Sequence, residues 1–256
     1  MFVAEGKQVV LRLLESRFAA LSILVSRSGL AWLQAVVMAP ASPWASQMAG
    51  VEVYVAEQAV IDEVAGFHAH RGVLGIGRRL PAASPLALLS ATDTVLIIED
   101  VSDHENVGSL FRSAAALGAG AVLLSPRTCD PLYRRCVRVS MGAVLHLPFA
   151  IAEPWPGVLD GVVASGFCLV ALTPNPAIGE PLEALAKDHP GRVAIAVGAE
   201  GPGLSAEVLA RSERRVAIAM APGADSLNVS VAAAIALHRL GPLRPAGIGP
   251  QSTSAW

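Results

Sequence analysis

Three short segments carry residues whose types and spacing could do chemistry. The first is Glu105-Asn106-Val107-Gly108-Ser109-Leu110-Phe111-Arg112. A carboxamide both donates and accepts hydrogen bonds, and a guanidinium is a permanent forked cation. Asn106 is expected to cap a helix over 106–117. Arg112 lies six residues on, close to two turns, so both side chains can face one region. Taken alone, the pair equally suits a helix cap and a surface cation. The second segment is Val197-Gly198-Ala199-Glu200-Gly201-Pro202-Gly203-Leu204-Ser205, an apolar run entering a glycine-rich loop with one carboxylate. Glycines let backbone approach a ligand closely. The spacing is Gly-x-x-Gly-x-Gly, not the dinucleotide order, and no Walker lysine follows. A tight strand-to-helix turn would look the same. The third is Met220-Ala221-Pro222-Gly223-Ala224-Asp225-Ser226-Leu227-Asn228-Val229-Ser230, which opens a small-residue helix. Helix N-termini offer free N–H groups to ligands. Asn228-Val229-Ser230 also matches a glycosylation sequon, set aside because no secretory signal precedes it.

The elements that must position these residues alternate. Strands are expected at 94–98, 121–124, 167–172, 193–197 and 215–219, and helices at 106–117, 131–139, 205–211 and 226–240. That order implies a mostly parallel sheet covered on both faces, with ligands beyond the carboxyl ends of its strands. Ahead of it, a helix over 6–16, strands at 20–25, 51–55 and 72–76, and a helix over 58–64 make a small α/β module. Pro81, Ala82, Ser84 and Pro85 mark a linker at 81–92. The expected organisation is a module at 1–80, a linker at 81–92, a main domain at 93–244 and a loose tail at 245–256. Hydrophobic residues make up 53% and aromatics 5%, so the core is built from Ala, Val and Leu, as buried parallel strands require. The uncharged run 161–179 contains Pro174, Asn175 and Pro176 and reads as strand plus loop, not a membrane span.

Together, in this order and spacing, the three segments resemble the SPOUT superfamily of methyltransferases, and within it the TrmH/SpoU branch of RNA ribose 2′-O-methyltransferases. The resemblance is strong over 94–240 and weaker over Phe2-Val3-Ala4-Glu5-Gly6 and Phe67-His68-Ala69-His70-Arg71-Gly72-Val73-Leu74. It implies an α/β catalytic domain with a deep trefoil knot, a small N-terminal RNA substrate-binding module and a homodimer with its sites at the subunit interface. It also implies S-adenosylmethionine as methyl donor, held by loops 172–175, 197–201 and 218–227. The donor-binding residues would be Thr173, Gly198, Gly201, Ile218, Met220 and Leu227, and the catalytic ones Asn106, Arg112, Glu200, Asn228 and Ser230. Because a guanidinium stays protonated, Arg112 is expected to grip phosphate and polarise the ribose hydroxyl, with Glu200 holding Arg112. Asn106, Asn228 and Ser230 would orient the ribose. Related enzymes commonly carry a leader ahead of the segment that here begins at Met1.

The net charge of −2 argues against a globally basic nucleic-acid binder but leaves local clusters open. Arg127, Arg134, Arg135 and Arg138 form one cluster, with Arg134 and Arg138 on one helical face; Arg71, Arg78 and Arg79 form another. Arg71, Arg134, Arg135 and Arg138 are the candidate RNA contacts, and each could equally be a solvated surface cation. Ribosomal RNA is favoured over transfer RNA. The odd count of three cysteines, Cys129, Cys136 and Cys168, suits reduced thiols and a cytoplasmic place. The six histidines share no metal-ligand spacing with them, so no metal is expected. A nucleotide-dependent oxidoreductase would need a glycine-rich turn after its first strand, which Glu105 to Gly108 does not supply. A non-catalytic RNA-binding or ribosome-assembly protein on the same fold is the second alternative.

Overall fold

The computed structural model describes residues 1–66 and 72–242, and two sheets organise them. The first has four strands: β1 (Phe2–Glu5), β2 (Ala20–Val25), β3 (Glu52–Val55) and β4 (Val73–Gly77), in the order β1-β4-β2-β3. β4 runs antiparallel to β1 and β2, and β2 parallel to β3. Helices α1 (Lys7–Leu14), α2 (Arg27–Trp32) and α3 (Gln58–Ala65) connect the strands. The expected α/β module is therefore present, with β1 as a strand that the sequence pattern had not marked.

The second sheet has seven strands, all parallel, and carries the three motif segments. In chain order the elements are α4 (Pro85–Leu89), β5 (Thr94–Ile98), α5 (His104–Ala116), β6 (Ala121–Leu124), α6 (Arg134–Val139), β7 (Phe149–Ile151), α7 (Val158–Ala164), β8 (Cys168–Leu172), β9 (Glu180–Pro181), α8 (Leu182–Lys187), β10 (Val193–Val197), α9 (Ala206–Arg211), β11 (Arg214–Ala217) and α10 (Val229–Leu240). The spatial order is β7-β6-β5-β10-β8-β11-β9. β10 thus lies between β5 and β8, and the chain returns to the sheet centre late.

Alternation along the strands decides which helices cover which face. Leu96, Ile98, Val122, Leu124, Val193, Ile195 and Val197 pack toward α5, α6 and α10. Val95, Ile97, Leu123, Leu169, Ala194 and Ala196 pack on the other side with Leu89, Leu159, Val162 and Val208. Each fully buried Leu, Ile or Val contributes about 1.5–3 kcal/mol. The first cluster continues into Phe2, Val9, Leu13 and Ile23, so the two sheets share one core.

Within the expected linker at 81–92, Ser84-Pro85 starts α4, and Leu89 is buried against the second face. The expected tail and the histidines His68 and His70 fall outside the described residues.

Candidate active site

Register brings the working loops side by side. Ile98 pairs with Val197, Ala196 with Ala171, and Val216 with Leu172, so β5, β10, β8 and β11 end at one edge of the sheet. The loops leaving Leu172, Val197 and Ala217 line one cavity of about 510 Å³. All six residues expected to hold a cofactor, Thr173, Gly198, Gly201, Ile218, Met220 and Leu227, are on its wall. Gly203, the third glycine of the Gly-x-x-Gly-x-Gly run, Asp225 of the 218–227 loop, and Ala232 also line it, though none was among the residues expected to hold the donor.

Backbone closeness explains the glycines. A Cβ on Gly198 would stand 2.2 Å from the carbonyl carbon of Gly203. The loop doubles back there, with the N–H of Gly203 donating to the carbonyl of Ala199 at 2.9 Å. Gly201 has φ +90°, which a side chain rarely adopts. On the neighbouring loop, Thr173 N–H donates to Val216 O at 2.9 Å and Asn175 N–H to Thr173 Oγ1 at 3.1 Å.

Four of the five candidate catalytic residues form one hydrogen-bonded network. Asn106 Nδ2 donates to Glu200 Oε1 at 3.1 Å, and Asn228 Nδ2 donates to Asn106 Oδ1 at 2.8 Å and to Glu200 Oε1 at 3.0 Å. Ser230 donates to Asn228 Oδ1 through its N–H at 2.9 Å and its hydroxyl at 2.6 Å. The donors run in one direction, from Ser230 through the two amides to one carboxylate oxygen. Glu200 and Asn228 also line the cavity, so network and pocket are continuous.

Local sequence sets each position. Asp103, not Asn106, caps α5, its Oδ1 accepting from the N–H of Asn106 at 2.8 Å. That frees the Asn106 carboxamide for Glu200. Val107, Leu110, Phe111 and Ala114 bury one face of α5, and Gly108 lets α6 approach, since a Cβ there would meet Cys136 O at 2.9 Å. Asn228 caps α10, which begins at Val229 and not at Ser226. Ahead of α5, Asp100 takes a left-handed conformation with φ 56°. Its N–H donates to Ser125 Oγ at 2.8 Å, and the Ser125 hydroxyl donates to Asp100 Oδ1 at 2.7 Å. The Arg127 guanidinium, and then the Ser125 hydroxyl, hold the Asp100 carboxyl below the usual carboxylate range.

The structure departs from two expectations about cations. Arg112 is exposed and has no hydrogen bond or ion pair among the described residues, whereas Glu200 binds the two asparagines instead of Arg112. Of the expected RNA contacts, Arg134 donates to Ala65 O of α3 at 2.5 Å, and Arg138 lies 3.6 Å from Glu5 of β1. Arg135 pairs with Glu105 at 2.5 Å, and Arg79 with Asp130. Arg78 is exposed and has no side-chain partner among the described residues, and Arg71 lies outside them. Among the described residues, no group of three or more His, Cys, Asp or Glu could hold a metal ion. No helix among them is long and apolar enough to cross a membrane.

The model of the SpoU rRNA Methylase family matches residues 93–238, which contain the whole network and the cavity wall. The chain belongs to that family. A SpoU-family RNA methyltransferase is thus what the three loops and two helix starts assemble. The chain is 43% identical over 249 residues to an uncharacterized tRNA/rRNA methyltransferase of Mycobacterium bovis, covering 94% of this chain and 83% of the relative. Among solved structures, it is similar to an AdoMet-bound rRNA methyltransferase from Sinorhizobium meliloti: TM-score 0.78, 25% identity, 93% of this chain and 86% of the other. It is also similar to an RNA 2′-O ribose methyltransferase, with TM-score 0.69 and 29% identity over 93% of this chain and 87% of the other.

Proposed function

We propose that this RNA methyltransferase moves a methyl group from S-adenosylmethionine to a ribose 2′-hydroxyl of structured RNA, with ribosomal RNA favoured over transfer RNA. The observation that carries the reading is the continuity of the cavity with the Asn106–Glu200–Asn228–Ser230 network. The cavity fits the donor. Its volume lies within the range of about 300–1,000 Å³ usual for small-molecule sites. Leu172, Ile218 and Leu227 give an apolar wall for a purine, and Glu200 and Asp225 supply carboxylates for a cationic ligand. Thr173, Gly198, Gly201 and Met220 complete the proposed holding set.

When bound, S-adenosylmethionine supplies a sulfonium methyl to an oxygen nucleophile. The protein must orient the hydroxyl and manage its proton. Asn106, Asn228 and Ser230 shape the ribose subsite, and Glu200 locks the two amides in one orientation. Arg112, uncommitted among the described residues, grips an RNA phosphate and polarises the hydroxyl. Arg71, Arg134, Arg135 and Arg138 remain proposed RNA contacts. Arg135 would have to exchange Glu105 for phosphate, and Arg134 and Arg138 would do their part while holding α6 to α3 and β1. We assign 1–80 to RNA substrate binding, 81–92 to the connection and 93–244 to methyl transfer, with the trefoil knot of the SPOUT fold around the cavity.

A homodimer is part of this reading. A shallow groove of about 560 Å³ between α5 and α10 is lined by Leu117, Val231, Ala234 and Ile235, next to Ser230. Ser113 lines it too, beside Arg112, so a second copy seated there would complete the site. The free thiols fit a cytoplasmic place.

The test is methylation of bulk RNA with labelled donor, followed by nucleoside analysis. The expected product is a 2′-O-methylnucleoside; label confined to bases would refute the ribose assignment, and label in transfer RNA alone would reverse the substrate preference.

A further inference from the structure

We propose that Glu99 is a positioning residue for the donor pocket: it fixes both ends of the glycine-rich loop and, through that loop, the placement of Glu200. The inference rests on the methyltransferase reading above and extends it to a residue outside the cavity wall.

Glu99 follows β5 directly and is 2% exposed. Its N–H donates to Val197 O at 2.8 Å, holding the start of the loop. Its carboxylate holds the end: Ser205 N–H donates to Oε2 at 2.8 Å and Ser205 Oγ to Oε1 at 2.7 Å. Trp155 Nε1 donates at 2.9 Å to Oε1, the oxygen that also accepts from Ser205 Oγ. Three donors therefore replace the water that a buried carboxylate loses, and hydrogen bonds to an ionised acceptor are the strong kind. Ser205 also caps α9, its hydroxyl accepting from Val208 N–H at 3.3 Å. Between these anchors lie Gly198, Ala199, Glu200, Gly201 and Gly203, all on the cavity wall.

Glutamine cannot substitute. One amide end must present N–H groups, and at either end a donor awaits that cannot turn into an acceptor: the backbone N–H of Ser205 or the indole N–H of Trp155. Glu99→Gln therefore keeps the shape but sets donor against donor, and the loop end must move.

The experiment is calorimetric titration of the full chain with S-adenosylmethionine, together with steady-state kinetics on RNA. Wild type is titrated first; no donor binding by wild type removes the methyltransferase reading and this inference together. In Glu99→Gln, the donor Kd should rise by about tenfold or more, the scale of a lost hydrogen bond to a buried charge. The kcat at saturating donor should fall because Glu200 shifts, while KM for RNA should stay within about twofold. Trp155→Phe removes the donor to the carboxylate that does not belong to the glycine-rich loop. It should lower Tm while leaving the donor Kd within about twofold. A folded Glu99→Gln with wild-type donor Kd and kcat overturns the inference alone. Should Glu99→Gln not fold, Ser205→Ala decides: the donor Kd is expected to rise by about threefold, and an unchanged value overturns the proposal.

Discussion

Replacing Gly198 by alanine should damage the donor pocket by steric overlap alone. The added Cβ would meet Gly203 C at 2.2 Å, Gly203 O at 2.3 Å and Leu204 N at 2.4 Å, all backbone atoms. Ordinary contact begins at 3.4 Å, so the two limbs of the loop must separate by about 1 Å. No side chain can rotate away to absorb this. Overpacking of this kind costs about 1–3 kcal/mol, and loss of the Gly203 N–H to Ala199 O bond adds about 1 kcal/mol. For a chain of this size each kcal/mol lowers Tm by about 2–4 °C, so the expected drop is about 5–15 °C. The donor Kd should rise by about tenfold or more, because the loop is a wall of the cavity. Gly201→Ala is the contrast: its Cβ meets nothing within 4 Å, and only the φ of +90° resists it. That penalty is about 1 kcal/mol, or about 2–4 °C. Calorimetric melting and donor titration on both variants make the comparison. A Gly198→Ala protein that melts and binds donor like wild type would show that the close approach of Gly198 to Gly203 is not what shapes the pocket.

Arg112→Lys keeps the charge and loses the fork; kcat/KM for RNA should fall by about tenfold with the donor Kd unchanged, and full turnover would remove the positional role. His146, whose ring meets Arg12 O at 3.0 Å, has its pKa held below the usual 6.5 by burial. The unfolded chain then binds the proton more tightly, so this contribution to stability is present above pH about 6.5 and lost as pH falls toward the folded value. Denaturant midpoints measured from pH 7.5 to 5 should therefore fall less steeply for His146→Gln than for wild type, and parallel curves would contradict the assignment. Thiol labelling at pH 8 should reach Cys129 first: hydrogen bonding from Cys136 holds it below the usual thiol range, while burial, with Glu213, pushes Cys168 up to about 11. Peptide mapping that finds Cys168 modified first would count against this.

The central strands β5, β6, β8, β10 and β11 and the helices α5, α6, α9 and α10 were legible in the sequence because apolar periodicity is local, whereas β7, α7, β9 and α8 were not; the loops that line the cavity came from the resemblance of the motif segments to the family. Local pattern failed where polar neighbours compete for one role. Asp103, not Asn106, caps α5, since two capping residues three positions apart cannot be ranked without the turn itself. β1, β7 and β9 went unseen because their pairing with β4, β6 and β11, far away in sequence, is what makes them strands. Partner choice was likewise tertiary: which donor reaches Glu200, or which carboxylate meets Arg135 and Arg138, depends on side chains far apart in sequence. Composition and periodicity determined the kind of sheet and the loops that could hold a ligand. The late insertion of β10 between β5 and β8 decided which loops meet, because strand order is set by packing between distant segments and leaves no mark on any one of them.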